Sequence, residues 1–408
     1  MQHSDVVIIG AGIAGSALAC MLGRRGMAVT VLERDLEPVD RVRGEYMTTW
    51  GVAEAARLEL YDVFLRAGWY HTARLVPYDE NTPLEQAEAA ALNLSALLPG
   101  VAGPMCGSHP RLCRELAAAA AEHGATVLRG VQRIVVVPGV EPQVRWDCRG
   151  VSQQCTPRLV VVADGRNSPT RHQLGFELEQ DPPHNLIGGM LVSGVPEWPE
   201  DAYSIGTQGQ MMYYVFPQGA GRLRLYSCWN AGPKHRFGGA ERREKLLRAF
   251  SELTCLRHSE SIGRATPEGP FNAFSNEDHW VTDPTRPGVV LIGDAAGFTD
   301  PITGQGLSSA LHDVRLVSDI VGEGDCSRHA FRPYVEQRTE RMRRLRVTAR
   351  LAATMRAEFG PAAAERRARV MARTRAGWPS PVMSAFLGPD ELPAHCFDPA
   401  AVEALLAA

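Results

Sequence analysis

Lysine is almost missing. The 408-residue chain carries it only at Lys234 and Lys245, and arginine supplies nearly all of the positive charge. Alanine is abundant as well, so the bias reads as genome composition. Cationic excess is also lacking: a net charge of −3 excludes a strong electrostatic pull toward nucleic acid. Cysteine occurs nine times, but no pair is spaced CxxC and no Cys/His cluster has zinc-ligand spacing. No metal site is therefore expected. An odd number cannot pair completely, which predicts free thiols in a reducing compartment. No window reaches the ~20 apolar residues of a membrane span. The stretch MQHSDVVIIG has too short an apolar run for a secretory signal and no cationic segment before it. These absences predict a cytoplasmic protein without a membrane span and leave the oligomeric state open.

What is present is apolar bulk. A hydrophobic content of 45% can bury a large core, and the length admits two or three structural units. No repeat or low-complexity linker divides the chain. The pattern predicts a strand at 5–9, a Gly-rich turn, a helix at 13–25 and a strand at 28–33, which is a βαβ unit. Helical pattern follows near 52–64 and at 109–123. Strand pattern covers 126–137, 144–148 and 158–163. From 184 to 230 the chain is rich in β-branched and aromatic residues punctuated by Gly, which predicts an antiparallel sheet. A helix near 241–253 precedes a short buried strand at 288–292. Residues 328–375 read as Arg-rich helix with a break at Gly360-Pro361. We take this run as a solvated face, with Leu345, Val347, Leu351 and Met355 turned inward.

The βαβ unit carries chemistry. In VVIIGAGIAGSALACMLGRRGMAVTVLERD, Gly10, Gly12 and Gly15 have G-x-G-x-x-G spacing. The first permits a tight turn, the second lets backbone approach a pyrophosphate, and the third packs helix on strand. Ile13 and Ala14 open a helix whose unpaired N–H groups favour phosphate. Glu33 ends the second strand, with Arg34 after it; a carboxylate there binds both ribose hydroxyls and repels a 2′-phosphate. FAD or NAD is thus favoured over NADP at this turn.

Three later stretches extend the pattern. RVRGEYMTTWG holds Arg43; SHPRLCRELAAAAAEHGATVLRGV holds Arg111 and Val131; LVVVADGRNSPTR ends a strand at Asp164-Gly165. A fourth, VVLIGDAAGFTDPITGQG, runs from Val289 to Gly306. Together they resemble the FAD-dependent monooxygenases of the p-hydroxybenzoate hydroxylase type, the group A flavoprotein hydroxylases, over about residues 4–355. The resemblance implies an α/β fold: a Rossmann-like FAD-binding domain, discontinuous over 1–75, 105–178 and 264–327. An antiparallel β-sheet substrate domain would occupy 76–104 and 179–263, and a helical C-terminal region 328–408.

It also implies roles. Gly10, Gly12, Gly15 and Glu33 would hold the ADP half of FAD, Arg43 and Arg111 would be basic FAD contacts, and Val131 would offer a backbone contact to adenine. Asp164 and Gly165 match a motif tied to FAD and the pyrophosphate of the reductant. Gly293 and Asp294 match the motif that binds the ribityl chain. Pro301, Gly304, Gln305 and Gly306 would lie beside the flavin ring, where backbone N–H groups at a helix start stabilise negative charge. No second G-x-G-x-x-G unit exists, so NAD(P)H would bind only transiently.

The activity implied is hydroxylation of an aromatic or polyketide-like small molecule with NAD(P)H and O₂, through a C4a-hydroperoxyflavin. Met212, Tyr214 and Phe216 alternate onto one face of MMYYVFPQG and are the substrate-binding candidates. No catalytic residue is assigned. Gly297 stands where many aromatic hydroxylases carry His. GDAAGFTDPITGQG and YYVFPQG also look like the geranylgeranyl reductase-type flavoproteins, which saturate carbon–carbon double bonds. A flavin halogenase is disfavoured, because W-x-W-x-I-P is absent and both lysines lie past the N-terminal third. A non-catalytic flavin-binding redox sensor is a further alternative.

Overall fold

A computed structural model describes residues 4–183, 185–230, 232, 236–378 and 380–407; Lys234 lies outside them. The chain begins with β1 (Val6–Ile9), α1 (Ile13–Arg24) and β2 (Val29–Glu33). It continues through α2 (Thr49–Arg57), β3 (Arg74–Val76), β4 (Leu92–Asn93), α3 (His109–Glu122), β5 (Thr126–Arg129) and β6 (Leu159–Val162). Then come β7 (Asn185–Ser193), β8 (Ala202–Gln208), β9 (Met211–Pro217), β10 (Leu223–Asn230), α4 (Arg242–Ser251), β11 (Thr266–Asn276), β12 (Thr285–Arg286) and β13 (Val289–Leu291). Then follow α5 (Gly306–Gly322), α6 (Arg332–Arg356) and α7 (Pro361–Arg375), with shorter helices at Ser384–Leu387 and Pro399–Leu406.

Two large sheets organise these elements. The first has the order β12-β13-β6-β1-β2-β5 and is parallel except for the β12 edge. Its strands are continuous apolar runs because both faces are covered. Val6, Ile8 and Val31 pack toward α1, α3 and α5, while Val7, Ile9 and Leu32 pack toward Val136 and Trp146 of a small antiparallel sheet. The second sheet has the order β11-β7-β10-β9-β8-β3-β4. Along β9, Met211, Tyr213 and Val215 join a core with Leu246 and Phe250 of α4; Met212, Tyr214 and Phe216 face the other way.

Several boundaries differ from expectation for backbone reasons. The strand pattern at 126–137 is cut at Gly130 (φ 74°), so β5 ends the parallel sheet and Gln132–Val137 starts another. The helical pattern at 52–64 breaks at Glu59, which sits at φ 54°. Gly360 (φ 98°) separates α6 from α7. A larger correction concerns the Arg-rich helix. Leu345, Leu351 and Met355 are buried and Val347 is half-buried, but Arg338 and Arg341 are buried too. Arg338 pairs with Asp313 at 3.1 Å and donates to the carbonyls of Gly293, Ala296 and Gly297; Arg341 pairs with the same carboxylate. Burial pushes the Asp313 carboxyl up, yet Arg338 and Arg341 beside it bring it below the usual carboxylate range. A buried charge persists only when paired in this way. The start of α6 therefore clamps the turn after β13, and Tyr334 adds a bond of 2.7 Å to the Leu291 carbonyl.

Candidate active site

A cavity of about 1340 Å³ opens at the carboxyl ends of β1, β2, β6 and β13, where open α/β sheets bind ligands. It continues to the second sheet. Its volume exceeds the roughly 300–1,000 Å³ of a pocket for one small ligand, so a dinucleotide and a second molecule can share it.

At the first end the wall is backbone. Gly10 has φ 103°, and a Cβ there would lie 2.5 Å from the Ala163 carbonyl oxygen. A Cβ on Gly15 would lie 2.0 Å from the Gly10 oxygen, so helix and strand touch only because it is absent. Gly12 is different: its Cβ would meet nothing within 4 Å and would project into open space. Neither α1 nor α5 has a side-chain cap or an acid in its first turn, so both present unpaired N–H groups. Ile13 and Ala14 line the cavity. Glu33 is held in place at its rim, accepting from the N–H groups of Ala11 (2.6 Å) and Asp35 (2.8 Å). Arg34 lines the same rim and pairs with Asp35 at 3.3 Å. Val131 lines the wall with its N–H already given to the Glu33 carbonyl at 2.9 Å.

The two expected basic contacts separate. Arg43 lines the cavity, half-buried, and makes no hydrogen bond or ion pair among the described residues. Arg111 is not in the lining; it is exposed and lies over Gly68. His109 takes the place expected of it. Residues 109, 112, 113 and 116 share the inner face of α3, whereas 111 and 114 point out. That helical period was the signal available in the sequence. Burial and then Arg43 push the His109 imidazole down to about 4, so it is neutral near pH 7.

Farther along, the Asp164 carboxylate accepts the Thr170 N–H at 3.1 Å through one oxygen, while the other is buried without a partner. Gly165 follows at φ 83° with open space around its missing side chain. Asp294 lines the cavity and its carboxylate accepts no hydrogen bond among the described residues; Gly293 beside it gives its N–H to Asp313 at 2.9 Å. Opposite, the Arg166 guanidinium lies 3.9 Å from the Phe298 ring centre, with its Nε unpaired. Pro301, Gly304 (φ 66°), Gln305 and Gly306 also line the wall. The Gln305 side chain is fully used, accepting from Trp50 Nε1 at 2.8 Å and donating to the carbonyls of Thr303 and Ala385. Only its backbone remains for a ligand. Asp300 stays behind this loop, accepting the Ile302 N–H at 2.8 Å; burial and then Asp278 push its carboxyl up to about 7.

The wall at the second sheet is made of side chains. Met212, Tyr214 and Phe216 line it together with Tyr46, Tyr203 and Tyr226. Phe216 stacks on Tyr214 at 5.5 Å and on Tyr203 at 5.6 Å. The Tyr46 and Tyr203 hydroxyls are 3.0 Å apart, and Tyr226 donates to Glu45 at 2.6 Å. The C-terminal region closes this lobe through Ala352, Met355, Met371, Val382, Met383 and Phe386. The sequence offered no signal for them beyond ordinary apolar content.

Gly297 now has a physical reason. It sits at φ 116°, and a Cβ there would come 2.5 Å from the His279 carbonyl oxygen. Any side chain is excluded by the strand beside it, so Gly297 does not by itself discriminate between flavin chemistries.

Uncapped helix starts, glycines that leave room for phosphate and the unpaired Asp294 carboxylate all fit FAD. The comparisons agree. The squalene epoxidase erg1 of Aspergillus fumigatus is 29% identical over 346 residues, covering 78% of this chain and 66% of that protein. The menaquinone reductase of Mycolicibacterium smegmatis is 24% identical over 329 residues, covering 79% and 77%. The chain spans less than two thirds of the length of the squalene epoxidases it matches. Among solved structures, p-nitrophenol 4-monooxygenase PnpA from Pseudomonas putida superposes with a TM-score of 0.75 at 17% identity, covering 99% of this chain and 96% of that one. PqsL from Pseudomonas aeruginosa gives 0.73 at 23%, covering 88% and 97%. These structural likenesses establish the fold, which is the α/β architecture expected. The profile of the FAD binding domain family matches residues 3–349, and by that match the chain belongs to this family, with FAD as its cofactor.

Proposed function

We propose that the protein is an FAD-dependent monooxygenase that uses NAD(P)H and O₂ to oxygenate an apolar aromatic, polyketide-like or polyene small molecule. The observation that carries this reading is a single cavity joining a glycine-walled nucleotide end to an aromatic lobe. When bound, the flavin takes electrons from NAD(P)H and activates O₂; the protein's part is to bind, orient and exclude water. Asp294 would hold the ribityl hydroxyls, and the N–H groups around Gly304–Gly306 would stabilise negative charge on the ring. Arg43, with no anionic partner of its own, would meet a phosphate. Asp164 and Gly165 would sit near the pyrophosphate. The stacked rings of Tyr203, Tyr214 and Phe216 would keep water from the reacting carbon and align a flat substrate.

A reductase of carbon–carbon double bonds is the second reading. It is favoured by the likeness to a menaquinone reductase over 77% of that protein's length. Purified protein should be yellow from FAD. Reaction under ¹⁸O₂ with NAD(P)H and a panel of aromatic and polyene compounds decides between the two. Label in the product supports the monooxygenase; product formed without O₂ and lacking a double bond establishes the reductase.

A further inference from the structure

The aromatic lobe contains a charge that the reading above does not use. Among the described residues that the second sheet and the C-terminal region contribute to the cavity wall, Arg356 is the only charged one. It is the last residue of α6, and its carbonyl accepts the Thr207 hydroxyl at 2.9 Å. Both oxygens of Asp79 converge on one nitrogen, Nη1, at 2.7 and 2.6 Å. Asp79 is itself fixed by the Thr207 N–H at 3.0 Å. The two side chains are 17% and 10% exposed.

This is an unusual way to bind a carboxylate. A guanidinium pairs best through two nitrogens at once, in a planar fork. Other pairs in this molecule do so. Arg74 meets Asp201 through Nε and Nη2, and Arg343 meets Glu340 in the same way. Asp79 engages Arg356 end-on and leaves the Nε–Nη2 fork without a partner among the described residues. Nor is that fork sealed in protein: the unpaired nitrogens of Arg224 and Arg341 are enclosed, whereas those of Arg356 remain accessible. Arg356 lines the cavity beside Met355, together with Tyr214 of the lobe wall.

We propose that Arg356 binds an acceptor oxygen of the substrate, a carboxylate or carbonyl carried on an otherwise apolar body. A guanidinium can only donate, so the ligand group must accept. Asp79 holds the donor in place and balances its charge, so a neutral carbonyl is as admissible as an acid. Phe216, Tyr203 and Met355 leave the remainder of the ligand apolar. The proposal rests on the lobe being the substrate site, and it makes Arg356 a specificity-determining residue.

The test uses FAD-loaded protein and three probes of one shape: naphthalene-2-carboxylate, naphthalene-2-carboxamide and 2-isopropenylnaphthalene. Binding is read by calorimetry and by change in flavin fluorescence, without turnover. The carboxylate, the carboxamide or both should bind about tenfold or more tightly than the hydrocarbon, since charge-assisted bonds are the stronger class. The preference should vanish in Arg356→Met and in the double variant Asp79→Asn with Arg356→Met, which leaves no orphaned charge. FAD affinity should not change. A preference for the acid alone identifies a carboxylate; equal preference identifies a carbonyl. Equal binding of all three probes, or a preference that survives in both variants, overturns the proposal while leaving the lobe as a substrate site. Failure of every probe to bind overturns the lobe reading and the proposal together.

Discussion

At its nucleotide end the cavity is walled by main chain: Gly10, Gly12, Gly165 and Gly304, with the first turns of α1 and α5. At its other end it is walled by side chains gathered from the second sheet, the turn at Glu45-Tyr46 and the tail beyond α6. At Gly10, and at Gly15 behind it, a single added carbon meets backbone within 2.0–2.5 Å, whereas at Gly12 and Gly165 it would enter the open space of the cavity. The other end is built of flexible or stacked groups that can be exchanged while the strands keep their register. A binding surface made of backbone fixes one ligand; one made of side chains can be retuned.

The sharpest way to break that contrast is Gly15→Val. Its Cβ would lie 2.0 Å from the Gly10 oxygen, so helix and strand must part. FAD affinity should fall more than roughly 100-fold, measured by equilibrium dialysis and the flavin absorbance of purified protein. Retention of FAD would show that the turn can yield.

Asp294→Ala should have the next largest effect, weakening FAD by about 10–100-fold through lost charge-assisted bonds to the ribityl chain. The melting temperature of the apoprotein should not move, because the Asp294 carboxylate makes no hydrogen bond among the described residues. Unchanged FAD affinity would remove Asp294 from the site.

Phe216→Leu tests the other end. It should alter affinity for naphthalene probes by several-fold through lost stacking, worth about 0.5–1.5 kcal/mol per aromatic pair, and leave FAD binding unchanged. A matching loss of FAD would mean that the two ends are one mechanical unit.

The smallest effect concerns pH. Burial raises Asp278 to about 6 and Asp300 to about 7, from 3.8. Between about pH 4 and 7 the folded state therefore holds protons that the unfolded chain has released, so apoprotein stability falls as pH rises through that window. Asp300→Asn should flatten the slope, seen as a change of a few degrees in melting temperature between pH 5 and pH 8. An unchanged slope would show that Asp300 does not titrate there.

The same contrast explains what could be read from sequence. The glycine turn, Glu33, Arg43, Asp164 and the 293–306 stretch are local: spacing within a few residues sets their geometry, and Gly10, Gly12, Glu33, Arg43, Asp164, Asp294 and Gly304–Gly306 line the cavity while Gly15 packs behind it. The alternation of Met212, Tyr214 and Phe216 was legible because a strand has a period of two. Arg111 lies outside the cavity lining because its helical phase turns it outward, while His109, two residues earlier, faces inward. Arg338 and Arg341 differ in the other direction: arginines in a helix read as solvated unless the acid that buries them, Asp313, is known to lie opposite. Met355 was legible as an inward residue of a helix, but its place in this cavity, like that of Met371 and Phe386, was not, since nothing in a linear apolar pattern says which cavity a side chain will close.

One feature of the tail bears on descent. The family match stops at residue 349, and the side chains that roof the aromatic lobe begin at Ala352. The family-matched segment and the side chains that roof the lobe thus meet at a single junction near the end of α6. A crossover at that junction would exchange the roof, including Arg356, in one event, provided the new tail keeps a carbonyl for Gln305 where Ala385 supplies one. Chimeras joined there should keep their colour and change their diet.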